Sequence, residues 1–185
     1  IPAKDFGAAL ADMLWPERPE RAALLNLNQA LANLRRVVGD RDAPIPLLLS
    51  SRESIQLNPA ADAAVDVAAF QRLLAACAAH AHRSPQGCPI CAGWRAEAMA
   101  LARGPFLEGL APRDCLAFEE WAVVTRERLH RQLLEALEAL AAFHELRDEA
   151  PAALAVAERL AALDPWSEPA HRRVMRLLWR EGRAS

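Results

Sequence analysis

Two apolar helical stripes and a short paired run of β-formers share residues 5–58, and their order limits what the chain can build. Phe6, Leu10 and Leu14 recur at helical spacing over 5–15, and Pro16 ends that helix because its ring clashes with the preceding turn. A longer helix is expected over 19–38. Pro19 and Glu20 suit its first turn, where a missing N–H costs nothing and a carboxylate complements the dipole. Leu24, Leu27, Leu31, Leu34 and Val38 make one apolar stripe, and Gly39-Asp40 closes the helix. Leu47-Leu48-Leu49 and Ser54-Ile55-Gln56-Leu57 then flank Ser51-Arg52-Glu53, the pattern of a hairpin with a basic residue near its tip.

Short helix, longer helix, hairpin is the order of the last two helices and the wing of a winged helix-turn-helix. Opposite the stripe of the longer helix stand Gln29 and Arg36, flanked by Arg21, Asn28 and Asn33. Asn, Gln and Arg hydrogen-bond base edges bidentately, and small Ala32 lets the backbone approach a groove. Arg21, Asn28, Gln29, Asn33 and Arg36 are therefore the candidate DNA contacts, with Arg52 at the wing tip on phosphate. The competing reading is an ordinary solvated polar face, and for Arg52 an ordinary exposed turn residue.

Beyond residue 61 the pattern becomes purely helical. Asp66 opens a helix carrying Val67, Phe70, Leu73 and Leu74, and a polar break follows over 83–87. Helices are expected over 94–102, 117–146, 151–163 and 168–180. Ser167 is placed to cap the last of these, with Glu168 and Pro169 in its first turn. Small residues Ala139, Ala142, Ala153, Ala157 and Ala161 permit close helix packing. Units of this kind stack because none buries its apolar face alone. The array offers a groove or a dimer face, or serves only as a structural bundle.

One cluster carries metal chemistry. Cys77-Ala-Ala-His80 is followed, after seven residues, by Cys88-Pro-Ile-Cys91. Two soft ligands in a tight turn and a Cys/His pair on one helix face make a tetrahedral Cys3His site for structural zinc, clipping the helix to the following loop. His82 rivals His80 as the nitrogen ligand. A disulfide or free thiols are the alternatives, and an intracellular compartment disfavours the disulfide. Cys115 lies outside the pattern, as a single core or exposed thiol.

Enzymatic arrangements are missing. A zinc deaminase needs His-x-Glu and then Pro-Cys-x-x-Cys, but Ala81-His82 follows His80 and Gly87 precedes Cys88. None of the 7 glycines forms a phosphate loop. Glu119 and Glu120 are adjacent on a helix and point apart. His130 and His144 read as surface or packing residues. No catalytic residue is assigned.

Several segments resemble a known family. Leu14-Trp15-Pro16, the run 26–31, Leu34-Arg35-Arg36, Gly39-Asp40 and the run 55–58 resemble the DNA-binding half of bacterial antibiotic-regulatory-type (SARP) activators. Gly104-Pro105-Phe106 through Leu110, Phe118-Glu119-Glu120-Trp121, the run 126–129 and Ala162-Leu163-Asp164-Pro165 resemble the bacterial transcriptional activator domain that follows it. The resemblance implies an OmpR-like winged helix joined to a tetratricopeptide-like helical domain. It also implies binding to repeated promoter sites and recruitment of RNA polymerase. Family members begin with a small sheet and a first helix, so the chain is expected to be a piece of a longer product. They often carry Arg where Asn28 and Asn33 stand, so phosphate affinity from this helix is expected to be lower.

The expected architecture is mainly α. A truncated winged helix over 1–61, with a β-hairpin wing, precedes a tetratricopeptide-like bundle over 62–185. A 53% hydrophobic content with no Tyr suits helices. The net charge of -2 argues against sequence-independent coating of DNA but not against local contacts. No run of about 18 apolar residues is found, so no membrane span is expected; the composition suits an intracellular protein, and a cytoplasmic location is expected. The expected partners are double-stranded DNA, RNA polymerase and a second copy of the chain. Alternatives are a protein-interaction scaffold with a degenerate winged helix, a module whose zinc senses metal or redox state, and a groove for a small molecule.

Overall fold

The computed structural model describes residues 6–51, 54–61, 63–82, 84, 86–112, 114–180 and 182. Arg52, the expected wing-tip contact, lies outside the described residues. The elements are α1 (Phe6–Leu14), α2 (Glu20–Val37), β1 (Leu48–Ser50), β2 (Ile55–Leu57), α3 (Asp66–Ala79), α4 (Pro89–Leu101), α5 (Leu116–Leu146), α6 (Ala150–Leu163) and α7 (Glu168–Arg180). The fold is mainly α with one two-stranded antiparallel hairpin. The helix of the Cys-Pro-Ile-Cys segment starts five residues earlier than its apolar spacing indicates. Pro89 is responsible, because it suits the first helical turn.

The chain divides into two compact units. One comprises Ile1–Ala64 and Gly109–Thr125, the other Val65–Glu108 and Arg126–Ser185. The first unit is held by a small core in which Ala11, Ala23 and Leu27 are buried, with Leu10, Trp15, Leu24, Leu31 and Ile55 packed on them. Ile55 brings the hairpin into that core. The strands pair Leu48 with Leu57, Leu49 with Gln56 and Ser50 with Ile55. Asn58 ties the hairpin base: its side-chain amide donates to the Pro46 carbonyl at 2.7 Å and its backbone N–H to Leu47 at 2.7 Å. Buried Cys115 belongs to this unit and donates its thiol to the Leu14 carbonyl at 3.0 Å.

The second unit has the larger core. Phe70 and Leu73 of α3, Ala92 and Ala98 of α4, Leu133, Leu137 and Leu140 of α5, and Val156 and Leu160 of α6 are buried together. Arg159 donates to the carbonyls of Met99 and Ala102 at 2.9 and 2.6 Å, satisfying acceptors left open at the end of α4. Ser167 Oγ accepts the Ala170 N–H at 3.4 Å, the cap expected for α7. Glu145 on α5 receives Arg173 and Arg176 of α7, each at 2.8 Å. The helices thus pack as consecutive pairs, α3 with α4 and α6 with α7.

The turn from α5 to α6 contains a group that titrates. Arg147 Nε donates to Glu149 at 2.8 Å and His144 lies 2.7 Å from its other oxygen. The Arg147 contact, then that of His144, holds the Glu149 carboxyl below its ordinary 4.5. A lowered folded value means that the carboxylate stabilises the fold fully above the unfolded value. That contribution is lost as pH falls through the lowered one. Glu149→Gln should therefore melt below the parent at neutral pH, and the two melting points should converge as the pH is lowered through the depressed folded value. A difference independent of pH would contradict this.

Candidate nucleic-acid interface and metal centre

Helix α2 separates its two faces cleanly. Ala23 and Leu27 are buried, and Leu24 and Leu31 are half-buried. Arg21, Asn28, Gln29, Asn33 and Arg36 are all exposed. With 3.6 residues per turn, Gln29 and Arg36 stand near the centre of the exposed face and Arg21, Asn28 and Asn33 at its margins. Gln29 Nε2 donates to Asn33 Oδ1 at 3.3 Å, so these two amides already lie side by side. Among the described residues no carboxylate pairs with Arg21 or Arg36. Leu25, 65% exposed, shares this face one turn before Gln29. The apolar spacing did not single it out, because it falls outside the stripe. Leu34 and Val38, counted in the stripe, are each 44% exposed, since the small core has ended by that turn.

The hairpin is pinned to α2 by residues that the sequence reading used only as a stop signal. Gly39 adopts φ 69°, a left-handed conformation that costs glycine nothing. The Asp40 N–H then returns to the Arg35 carbonyl at 2.8 Å and the Gly39 N–H to that of Arg36 at 3.4 Å, a Schellman closure. This turn delivers the Asp40 side chain, 1% exposed, beneath the start of the hairpin. Its carboxylate accepts the Leu47 N–H and, at 3.4 Å, that of Leu48. Arg35 lies 3.7 Å from the same carboxylate and donates to Ser50 Oγ at 2.7 Å. Helix end, loop and first strand therefore share one charged network. An Asp directly after a helix-ending Gly was the available signal.

The second cluster joins the end of α3 to the start of α4. One ligand atom each from His80, His82, Cys88 and Cys91 lies within 4.8 Å of the others. His80 Nδ1 is 3.3 Å from His82 Nδ1, 3.5 Å from Cys88 Sγ and 3.4 Å from Cys91 Sγ. Cys91 Sγ is 3.9 Å from His82 Nδ1. The membership differs from the expected Cys77, His80, Cys88 and Cys91. Cys77, buried in the last turns of α3, turns its thiol to the Cys91 carbonyl at 3.5 Å, and His82 takes the fourth place. His80 follows the last residue of α3, so helical spacing no longer puts it on the face of Cys77. The Trp94 ring stands edge-on to His80 at 5.4 Å and walls one side.

The two cluster thiols differ. Hydrogen bonding from the Cys91 backbone N–H is the main cause that lowers the Cys88 thiol from its ordinary 9.0; the Ile90 N–H and the Arg95 charge add to it against burial. Cys91 is pushed up to about 11, chiefly by burial and then by the Cys88 side chain. All four cysteines are free thiols rather than disulfides. Two imidazoles and two thiols converging on one point are a donor set for a borderline-soft divalent metal.

The family model described as the bacterial transcriptional activator domain matches residues 65–185. The match spans well over half of the chain, which therefore belongs to this family of transcriptional regulators. No curated protein matches the chain. No helix among the described residues is long and apolar enough to cross a membrane.

Proposed function

We propose that this bacterial transcriptional activator domain protein is a cytoplasmic, sequence-specific DNA-binding activator. In this reading α2 enters the major groove. Asn28, Gln29 and Asn33 meet base edges, and Arg21 and Arg36 meet phosphate or guanine. Leu25 supplies an apolar contact suited to a thymine methyl. Arg52, expected from the sequence near the wing tip, contacts the neighbouring phosphate. The observation that carries the reading is the segregation on α2: every polar candidate is exposed on one face while Ala23 and Leu27 are buried on the other. A helix serving only as scaffold has no need of exposed Asn, Gln and Arg there in preference to Lys and Glu.

The helical domain over 62–185 then sets the geometry of a homodimer on paired half-sites and contacts RNA polymerase. Structural zinc takes no part in base recognition in this reading, and no residue is given a catalytic role. Purified protein added to RNA polymerase on its own promoter should raise transcript yield. No stimulation by the intact protein would remove the activator reading.

Arg21 offers a finer test. Each cation on phosphate releases counterions, so affinity falls with salt in proportion to their number. Arg21→Ala should weaken binding alike on all sequences and reduce the log–log salt slope by about 1. An unchanged slope would take Arg21 off the phosphate backbone.

A second reading has its own observation. Trp166 is 95% exposed and Trp179 74%, and exposed aromatics of this size are typical anchors for protein partners. An interaction scaffold with a degenerate winged helix would use that surface and bind no DNA.

A further inference from the structure

We propose that His80, His82, Cys88 and Cys91 bind one zinc ion tetrahedrally, through two imidazole nitrogens and two thiolates, and that Cys77 is not a ligand. The spacing of the donor atoms matches that of a tetrahedral ion. A tetrahedral zinc ion with Zn–N of about 2.05 Å and Zn–S of about 2.3 Å requires N–N separations near 3.3 Å and N–S separations near 3.6 Å. The observed N–N separation is 3.3 Å, and three N–S separations are 3.5, 3.4 and 3.9 Å. Hydrogen bonding alone explains this poorly. Nδ1 of His80 faces His82 Nδ1 and two sulfurs at once, and one ring nitrogen offers either a single N–H or a single lone pair. A cation at the centre satisfies all four atoms together.

The surroundings favour the same occupant. Cys88 is the N-cap residue of α4 and Pro89 begins that helix, so the cluster sits at a helix N-terminus, whose dipole favours negative charge. Two thiolates balance the charge of a divalent ion, so the loaded site is neutral and can remain beside buried Cys77 and half-buried Trp94. Sulfur with imidazole in tetrahedral array selects zinc over the oxygen-seeking cations. Four protein ligands leave no position for water, so the ion is structural. It closes the connection between α3 and α4, adding to the packing of the pair and to the Cys77–Cys91 contact.

The site is tested on the full chain, independently of DNA. Protein purified without chelator should carry one zinc per chain. Replacement by cobalt should give the red-region absorption of a tetrahedral ion together with thiolate charge transfer sized for two sulfurs. Cys77→Ser should keep both signals, whereas His82→Ala and Cys88→Ser should weaken metal affinity at least tenfold. Chelation should lower the melting point of the parent chain and of Cys77→Ser by the same amount. Zinc absent from the parent even after refolding in its presence would overturn the site. Retention in His82→Ala with loss in Cys77→Ser would overturn the ligand set. Where a variant fails to fold, the intensity of the cobalt charge-transfer band in the parent still counts the thiolates, and a value for three would reject the proposal.

Discussion

Alanine at both Gln29 and Arg36 should abolish site-specific DNA binding and leave the melting point of the protein essentially unchanged. Both side chains are exposed near the centre of the outward face of α2. A bidentate base contact is worth about 1–3 kcal/mol of discrimination, so losing two should cost at least about 30-fold in affinity for the correct site. Affinity for unrelated duplex should fall far less, because only one cation is removed. Stability should hold for two reasons. Alanine is the better helix former, and the Gln29–Asn33 hydrogen bond that disappears is exposed and worth only a few tenths of a kcal/mol. Fluorescence anisotropy on matched and scrambled duplexes, with thermal melts alongside, measures both quantities. Unchanged specific affinity would show that this face of α2 does not read bases.

Asp40→Ala acts through a different part of the same unit. The Asp40 side chain is 1% exposed and holds the N–H groups of Leu47 and Leu48 and the Arg35 guanidinium. Its removal leaves half-buried donors without an acceptor, a loss of about 1–3 kcal/mol, with Arg35 partly rescued by solvent. The core of this unit is small, so it should unfold ahead of the helical domain and urea unfolding should become biphasic. The hairpin should also lose its fixed relation to α2, weakening DNA binding even below the unfolding transition. Asp40→Asn keeps one acceptor and should fall between the two. A single unchanged transition would mean that the network contributes nothing to the anchoring of the hairpin.

What could be read in advance follows the range of the forces. Helices α2, α5, α6 and α7 lie within a few residues of their expected limits. Their boundaries are set by local signals such as Pro19, Gly39 and Ser167. The hairpin was legible for the same reason, from two β-forming runs around a polar turn. The polar face of α2 followed from its phase alone. Leu34 and Val38 illustrate the limit: periodicity gives the side they point to, but not where the opposing core ends.

The metal cluster was half legible. Cys88 and Cys91 are paired by a turn that their own spacing specifies. The other two ligands depend on where α3 stops. Had the helix continued through His80, Cys77 would have shared its face. Because it ends at Ala79, His80 and His82 alternate along extended backbone and both reach the thiols. The Arg35–Asp40 network was not legible, since it depends on a loop that brings Leu47 back beneath the helix end. The role of Cys115 was left open for the same reason: its hydrogen bond to Leu14 crosses a long stretch of chain.

The most direct test of the account is a footprint of the full-length gene product on its own upstream region, repeated across a salt series. The account predicts saturable protection of a repeated element, weakening with salt as a few phosphate contacts require. Absence of protection at low salt would contradict it and make the helical domain, with exposed Trp166 and Trp179, the functional surface.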